Sequence, residues 1–434
     1  MTVWERYLSE QRKEYKEYLQ MYGALSAMFN QKSSETGAPY LDSKFQETIY
    51  AKSFDSEDVD IGNTPHDIRS EFGGEKVGIG IKTWLNSRPS YQKVMQLKSY
   101  KDEIDPFIQA QDKEGLAYKL AEIKNGRLLA DYKRLGLSDQ ANIYHYVTRD
   151  KGVLRLSETS YPLVDMQRLR PGKLTKTSFE FSDGHKHYRY TFGDSQIWMR
   201  FGEEESDTYL LENLPVEILA DPFKFLHDAF ASLSQPAKLI VPESATNKPS
   251  KYDYLYLPLY SFRDKVVPES SGLNAWNGLP KNKGSQTVRP RGEAYIPIPK
   301  IVWKKYPRWV DPRVDMNDYQ GYKAKTGKSS YPVALHMPDG SVIDAIITQS
   351  GFKSLQTNPQ SILGEWLLNV FGITNPQRES YDKPAKKIVT MKLLQQMGYD
   401  SLKLWHKYPD KPHDIWVDLA EYGSFERFIN DEEV

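Results

Sequence analysis

The chain has 434 residues, more than one hydrophobic core ordinarily organises, so two or three domains are expected. Its 58 basic and 58 acidic residues cancel, which excludes coating of nucleic acid through bulk charge but leaves room for a local basic face. With no cysteine it forms neither disulfides nor thiolate zinc or iron–sulfur centres, and a reducing cytoplasm is the expected setting.

In chain order, residues 3–31 predict a helix, because Trp4, Tyr7, Leu8, Tyr15, Tyr18, Leu19, Tyr22 and Leu25 recur at three- and four-residue spacing. This opening is charged and lacks a signal-type apolar core. No later stretch approaches the roughly 20 apolar residues of a membrane span, so no membrane partner is expected. A second helix is predicted over Ser43–Ser53, capped by Asp42 or Ser43, with Phe45, Ile49 and Tyr50 on one face and Glu47 beside it. From Asp60 the period changes. Asp67-Ile68-Arg69, the turn Gly73-Gly74-Glu75-Lys76 and the apolar run Val77–Ile81 predict a β-hairpin ending in Lys82. Helical spacing returns over 91–97 and 106–135. Strands follow at 154–156, 179–181, 188–192 and 197–201, with Asp183-Gly184 as a hairpin turn. Residues 236–253, rich in Pro, Ser, Thr and Asn, predict a linker. Beyond it, short strands are expected at 254–259, 294–298, 331–337 and 342–349, and helices at 361–370 and 384–397.

Hydrolysing a phosphodiester at neutral pH calls for a hard divalent ion, usually magnesium, held by converging carboxylates, and for a cation near the phosphorus. Asp67 near one strand of the hairpin and Lys82 on the next can face one cleft. On these residues, 45–100 resembles the PD-(D/E)XK nuclease superfamily, in which an acid precedes a hairpin whose second strand supplies acid, any residue, lysine. The chain departs from that pattern at Gly80, which stands where the acid two residues before Lys82 would be. The resemblance implies that a carboxylate from the preceding helix, Glu47, fills the vacancy, with Asp60 competing with Asp67 for the strand acid. Gln92 and the run Gln96–Tyr100 are similar to the Gln-x-x-x-Tyr element of some branches, which implies that Gln92 or Gln96 orients water or phosphate. His66, adjacent to Asp67, is a further candidate for touching substrate. Against all this, Ile-x-Ile-Lys is common in ordinary strands, and a strand glycine can simply admit a neighbour.

Reading a DNA sequence needs guanidinium and amide groups that bond bidentately to base edges. Two stretches are dense in them, 260–299 and 349–368. Their Ser-Gly-Leu-Asn-x-Trp-Asn, Tyr-Ile-Pro-Ile-Pro and Asn-Pro-x-x-x-Leu-Gly-x-Trp-Leu strings resemble the recognition domain of phospholipase-D-type restriction endonucleases, a B3-like pseudobarrel with two arms. By position the resemblance implies one arm with Asn274, Trp276, Asn277, Arg289 and Arg291, and another with Gln349, Lys353, Gln356, Thr357 and Asn358. Trp276 is expected to pack its arm, and Trp366 and Leu367 to be core. The same residues also suit ordinary turns. No His-x-Lys string with phospholipase D spacing occurs, so the N-terminal half has to supply the cutter.

The expectation is therefore an α+β multidomain protein. Residues 1–235 form a PD-(D/E)XK-like α/β catalytic domain with a β-rich extension from about 150, 236–253 a linker, and 254–434 a B3-like β-rich DNA-recognition domain. The implied activity is that of a type II restriction endonuclease in restriction-modification and phage defence, hydrolysing double-stranded DNA with Mg2+ held by Glu47 and Asp67, aided by Lys82 and Gln92, and pairing as a homodimer or on DNA. The alternatives are a non-catalytic sequence-specific DNA-binding protein and a modification-dependent defence nuclease.

Overall fold

The computed structural model describes residues 2–432 apart from 30–36, 63, 87–89, 139–140, 203–204, 206, 233–253, 280–288, 379, 381 and 409. The expected linker at 236–253 lies outside the described residues. The chain divides into two compact units, Met1–Tyr132 with Leu137–Thr246, and Lys133–Gly136 with Asn247–Val434.

Unit 1 begins with helix α1 (Ser9–Ala24), flanked by single 3-10 turns at Trp4–Arg6 and Ser26–Met28, where one continuous helix was expected. Helix α2 (Ser43–Ser53) starts at Asp42, whose side chain accepts from the Phe45 amide at 3.0 Å. Then come β1 (Glu57–Asp58), β2 (Ile68–Phe72), β3 (Glu75–Leu85) and β4 (Tyr91–Gln96). The β2–β3 turn places both Gly73 and Gly74 at positive φ, which a two-residue hairpin loop of the type I′ kind requires and side chains resist. Helices α3 (Lys101–Gln109) and α4 (Lys113–Leu135) divide the expected 106–135 helix. The break falls at Gln111, at positive φ, and Asp112 Oδ1 caps the restart by accepting from the Gly115 amide at 2.9 Å.

Strands β5 (Ile143–Asp150), β6 (Val153–Ser160), β7 (Arg170–Leu174), β8 (Ser178–Ser182), β9 (His187–Thr191), β10 (Gln196–Arg200) and β11 (Thr208–Pro215) follow, then helix α5 (Pro222–Ser232). One sheet runs β1-β2-β3-β5-β6-β11, antiparallel except where β3 and β5 lie parallel across the long connection that carries α3 and α4. A second, antiparallel sheet runs β4-β10-β9-β8-β7. Here one expectation is corrected: 91–97 is not a helix. Tyr91–Gln96 pairs with β10, Gln92 opposite Met199, and Met95 buries beside Ile197 and Met199. Tyr91, Val94, Met95 and Leu97 satisfy helical spacing as well as an extended strand, and a partner a hundred residues later decides between them.

The first sheet has two unlike faces. Val77, Ile79 and Ile81 pack with Tyr15 and Leu19 of α1 and Ile49 and Tyr50 of α2. Trp84, Tyr144 and Tyr146 belong to a second core with α3, α4 and the five-stranded sheet.

Unit 2 contains β12 (Tyr254–Pro258), β13 (Ile296–Pro297), α6 (Lys300–Lys305), α7 (Tyr319–Thr326), β14 (Tyr331–His336), β15 (Val342–Thr348), β16 (Ser354–Thr357), α8 (Ser361–Val370), α9 (Met391–Met397), β17 (Tyr399–Trp405), β18 (Asp414–Glu421) and α10 (Ser424–Ile429). Its seven strands, ordered β12-β17-β18-β14-β15-β16-β13, form a nearly closed, barrel-like sheet. The helix expected over 384–397 shrinks to α9, because the amides of Ala385 and Val389 are taken by the side chains of Asn277 and Asn274, and Thr390 caps what remains. Trp366 and Leu367 of α8 are buried, as core residues should be. Among the described residues, no helix is long and apolar enough to cross a membrane.

Candidate active site and candidate recognition residues

The β2–β3 hairpin fixes where Asp67 stands. Its amide donates to the Ile79 carbonyl at 3.0 Å, just beyond the last register pair of the hairpin, Ile68 against Ile79. Lys82 stands on the neighbouring strand β3, and its charge acts on the Asp67 carboxyl. The Ile81 amide donates to Asp67 Oδ2 at 2.6 Å and orients the carboxylate. Burial pushes the Asp67 carboxyl up from its ordinary 3.8 to about 7, opposed by the Lys82 charge and the Ile81 hydrogen bond and reinforced by the charges of Glu47 and Asp60. Glu47, Asp60 and Lys82 are therefore all within electrostatic reach of Asp67.

Glu47 comes from α2 and is buried, which raises its carboxyl, while Lys44 one helical turn earlier opposes the rise. Lys44 Nζ lies 2.9 Å from Glu47 Oε2 and 3.2 Å from Asp58 Oδ2. Asp60 spends Oδ1 on its own loop, accepting from the Gly62 amide at 3.0 Å and from Thr64 Oγ1 at 3.3 Å, so Asp67 is the better-placed strand acid. Among the described residues, no group of three or more His, Asp or Glu is arranged to hold a metal ion. Magnesium, however, is ordinarily held by one or two carboxylates together with waters and substrate phosphate oxygens. Two elevated carboxylates, Asp67 and Glu47, fit that donor set, because a cation would relieve the cost of ionising them.

Gly80 has a steric cause. A Cβ there would collide with the ring of Tyr144, its register partner on β5, and a Cβ at Gly78 would meet His66 Cδ2 at 2.6 Å. The place of an acid before Lys82 is thus taken by an aromatic wall, over which Lys82 Nζ stands 5.8 Å from the ring centroid. The alternation Gly78-x-Gly80 was the available signal for this wall. His66 is completely buried, with Nδ1 2.7 Å from Asp131 Oδ2 on α4 and Nε2 without a hydrogen-bond partner among the described residues, packed against Tyr132 and Tyr161. Its neighbour Asp67 lines the site, and His66 forms its buried back wall. Periodicity gives no hint of Asp131 as its partner, 65 residues away.

Gln92 and Gln96 are corrected in one respect: they stand on strand β4 of the five-stranded sheet and not on a helix following Lys82. Gln96 Nε2 donates to the Asp194 carbonyl at 2.6 Å, and its Oε1 accepts from Gln196 at 3.1 Å, so it ties down the β9–β10 turn.

In unit 2 the candidate reading residues separate into two groups. Asn274 is wholly buried: its Nδ2 donates to the carbonyls of Pro268 (3.0 Å) and Val389 (2.9 Å), and its Oδ1 accepts from the Val389 amide (3.0 Å). Asn277 likewise bonds Glu269 and Ala385, and Trp276 is core. Gln356 is held by Ser354 and Gln360, and Thr357 Oγ1 by Pro359 and Leu363. Asn274, Asn277, Gln356 and Thr357, expected at base edges, instead spend donors and acceptors inside the protein, and Trp276 packs in the interior as expected. Arg289 is half-buried, paired with Glu293 at 2.9 Å and donating to the Leu279 carbonyl. Arg291, Gln349, Lys353 and Asn358 keep exposed side chains. The turn residues Asn and Gln look alike in sequence whether they face solvent or lock a loop. Only their burial separates them.

No protein-family model matches this sequence, and no curated protein matches it.

Proposed function

We propose that this chain is a type II restriction endonuclease, a magnesium-dependent hydrolase of double-stranded DNA with a PD-(D/E)XK-like centre in unit 1 and a B3-like recognition module in unit 2. The observation that carries the proposal is that the charges of Lys82 and Glu47 both act on the Asp67 carboxyl at the end of one hairpin. Asp67 and Glu47 would hold the ion, which polarises the scissile phosphoryl oxygen and lowers the pKa of an attacking water. The Ile81 amide keeps the Asp67 carboxylate aimed. Lys82 stabilises the negative charge that builds on the phosphate as the P–O3′ bond breaks and water adds in line. Gln92 stands on strand β4 of the five-stranded sheet and is given no role in this scheme. In unit 2 the exposed groups Arg291, Gln349, Lys353 and Asn358 are available to DNA. Cutting both strands needs two centres, so two copies pair as a homodimer or on DNA.

Plasmid cleavage in magnesium and its absence in EDTA test the proposal. Lys82→Ala should abolish cleavage and keep DNA binding, and undiminished cutting by that variant would remove Lys82 from the mechanism. A second reading, a non-catalytic sequence-specific DNA-binding protein, is favoured by Lys44, whose ammonium occupies the Glu47 oxygen that an ion would need. DNA retention with no cutting at any magnesium concentration would select it. Comparing methylated with unmethylated plasmid tests the modification-dependent variant of the nuclease.

A further inference from the structure

Unit 2 carries an open groove of about 790 Å³ in which aromatic and cationic side chains meet. Tyr260, Phe262 and Tyr295 line it together with Arg263, Lys300 and Lys353. The aromatic part is held in place. Tyr260 donates to Glu426 Oε1 at 3.1 Å, Phe262 packs edge-on against Phe425 at 5.1 Å, and Lys265, paired with that same Glu426, stands 4.0 Å over the Phe262 ring. The cationic rim is set by backbone pairing. The Ile298 amide donates to the Lys353 carbonyl at 2.7 Å, which brings Lys353 beside the segment that ends in Lys300 at the start of α6.

Lys300 and Lys353 are exposed, and among the described residues neither has a carboxylate within ion-pair distance. Arg263 is almost wholly exposed and only touches its neighbour Asp264 at 4.0 Å. The groove thus offers the half-buried rings of Phe262 and Tyr295 over a buried Tyr260, two unneutralised ammonium groups at its mouth, and the Arg263–Asp264 pair beside them. Its volume falls within the range of small-ligand sites. A ligand matched to both halves is planar and aromatic at one end and anionic at the other.

We propose that this groove binds a nucleoside monophosphate unit, its base against the half-buried Phe262 and Tyr295 and its phosphate at Lys300 and Lys353. The same chemistry is offered by a free nucleotide and by a nucleotide swung out of a DNA strand. The second source rests on the reading of unit 2 as a DNA-binding module; the first does not.

Titration calorimetry of the full chain with dAMP, dGMP, dCMP and dTMP tests the proposal. Saturable binding of at least one is expected, weakened about tenfold or more in the Lys300→Glu/Lys353→Glu variant and for the nucleoside lacking phosphate. Both lysines are exposed, so the variant should melt like the parent, and calorimetric melting checks this. In parallel, permanganate oxidation of thymines is measured in plasmid bound by the chain. Enhanced reactivity that the double variant loses at equal plasmid occupancy identifies the DNA strand as the source; nucleotide binding with ordinary thymine reactivity identifies a free nucleotide. No heat with any of the four nucleotides together with unenhanced thymines overturns the proposal, and so does binding unchanged by the double substitution. Plasmid retention in a gel scores the DNA reading separately: nucleotide binding without plasmid retention removes that reading and leaves the groove assignment standing.

Discussion

Asp67→Asn should make unit 1 more stable at pH 8 while destroying cleavage. The native carboxyl titrates at about 7 against an ordinary 3.8, because it is buried beside Glu47 and Asp60. A folded-state pKa raised above the unfolded one means that the folded protein holds its proton longer. The stability tied to that proton is full below pH 4, falls as pH rises from about 4 to about 7, and stays lost above. A gap of about three pH units at about 1.4 kcal/mol each puts the cost of the ionised group near 4 kcal/mol at pH 8. Asparagine removes the charge and keeps the acceptor for the Ile81 amide, but its own N–H groups need partners, a deduction of about 1–2 kcal/mol. The net gain expected at pH 8 is about 2–3 kcal/mol, vanishing or reversing at pH 4. Urea unfolding at both pH values, followed by hydrogen exchange in peptides from β2 and β3, reads unit 1 alone. A difference between variant and parent that does not change with pH would refute the burial of an ionisable Asp67, and a less stable variant at pH 8 would do the same.

Gly80→Ala forces its methyl into the Tyr144 ring and should cost about 1–3 kcal/mol by thermal melting, with a smaller loss in a Tyr144→Ala background. His66→Ala leaves the buried Asp131 carboxylate without its imidazole and should cost about 2 kcal/mol or more in urea. Asn274→Ala breaks three internal hydrogen bonds and should destabilise unit 2 by about 3 kcal/mol. Arg291→Ala, at an exposed side chain, should leave the melting temperature unchanged and weaken plasmid retention in a gel.

Some of this architecture was legible in the residues because the forces that set it are local. The Asp42 cap and the spacing of Phe45, Ile49 and Tyr50 define α2 to the residue, and Gly73-Gly74 between apolar runs defines the β2–β3 hairpin. Asp183-Gly184 marks its turn for the same reason, since a positive φ at the glycine is a property of the turn itself. The candidate site was legible only in outline. Asp67, Lys82 and Glu47 are separated by 15 residues or more, and their closeness depends on how α2 lies against the sheet.

What sequence by itself determined, then, was the set of segments whose shape is dictated within a few residues: capped helices, glycine turns and alternating strands. Tertiary structure alone decided the rest. It paired β4 with β10 and so turned an apparent helix into a strand, put the Tyr144 ring where Gly80 leaves room, and buried Asn274 and Asn277 while leaving Arg291 and Lys353 in solvent. The physical reason is that a side chain's intrinsic preference acts over one turn of chain, whereas burial, hydrogen-bond satisfaction and pKa depend on neighbours that sequence distance does not reveal.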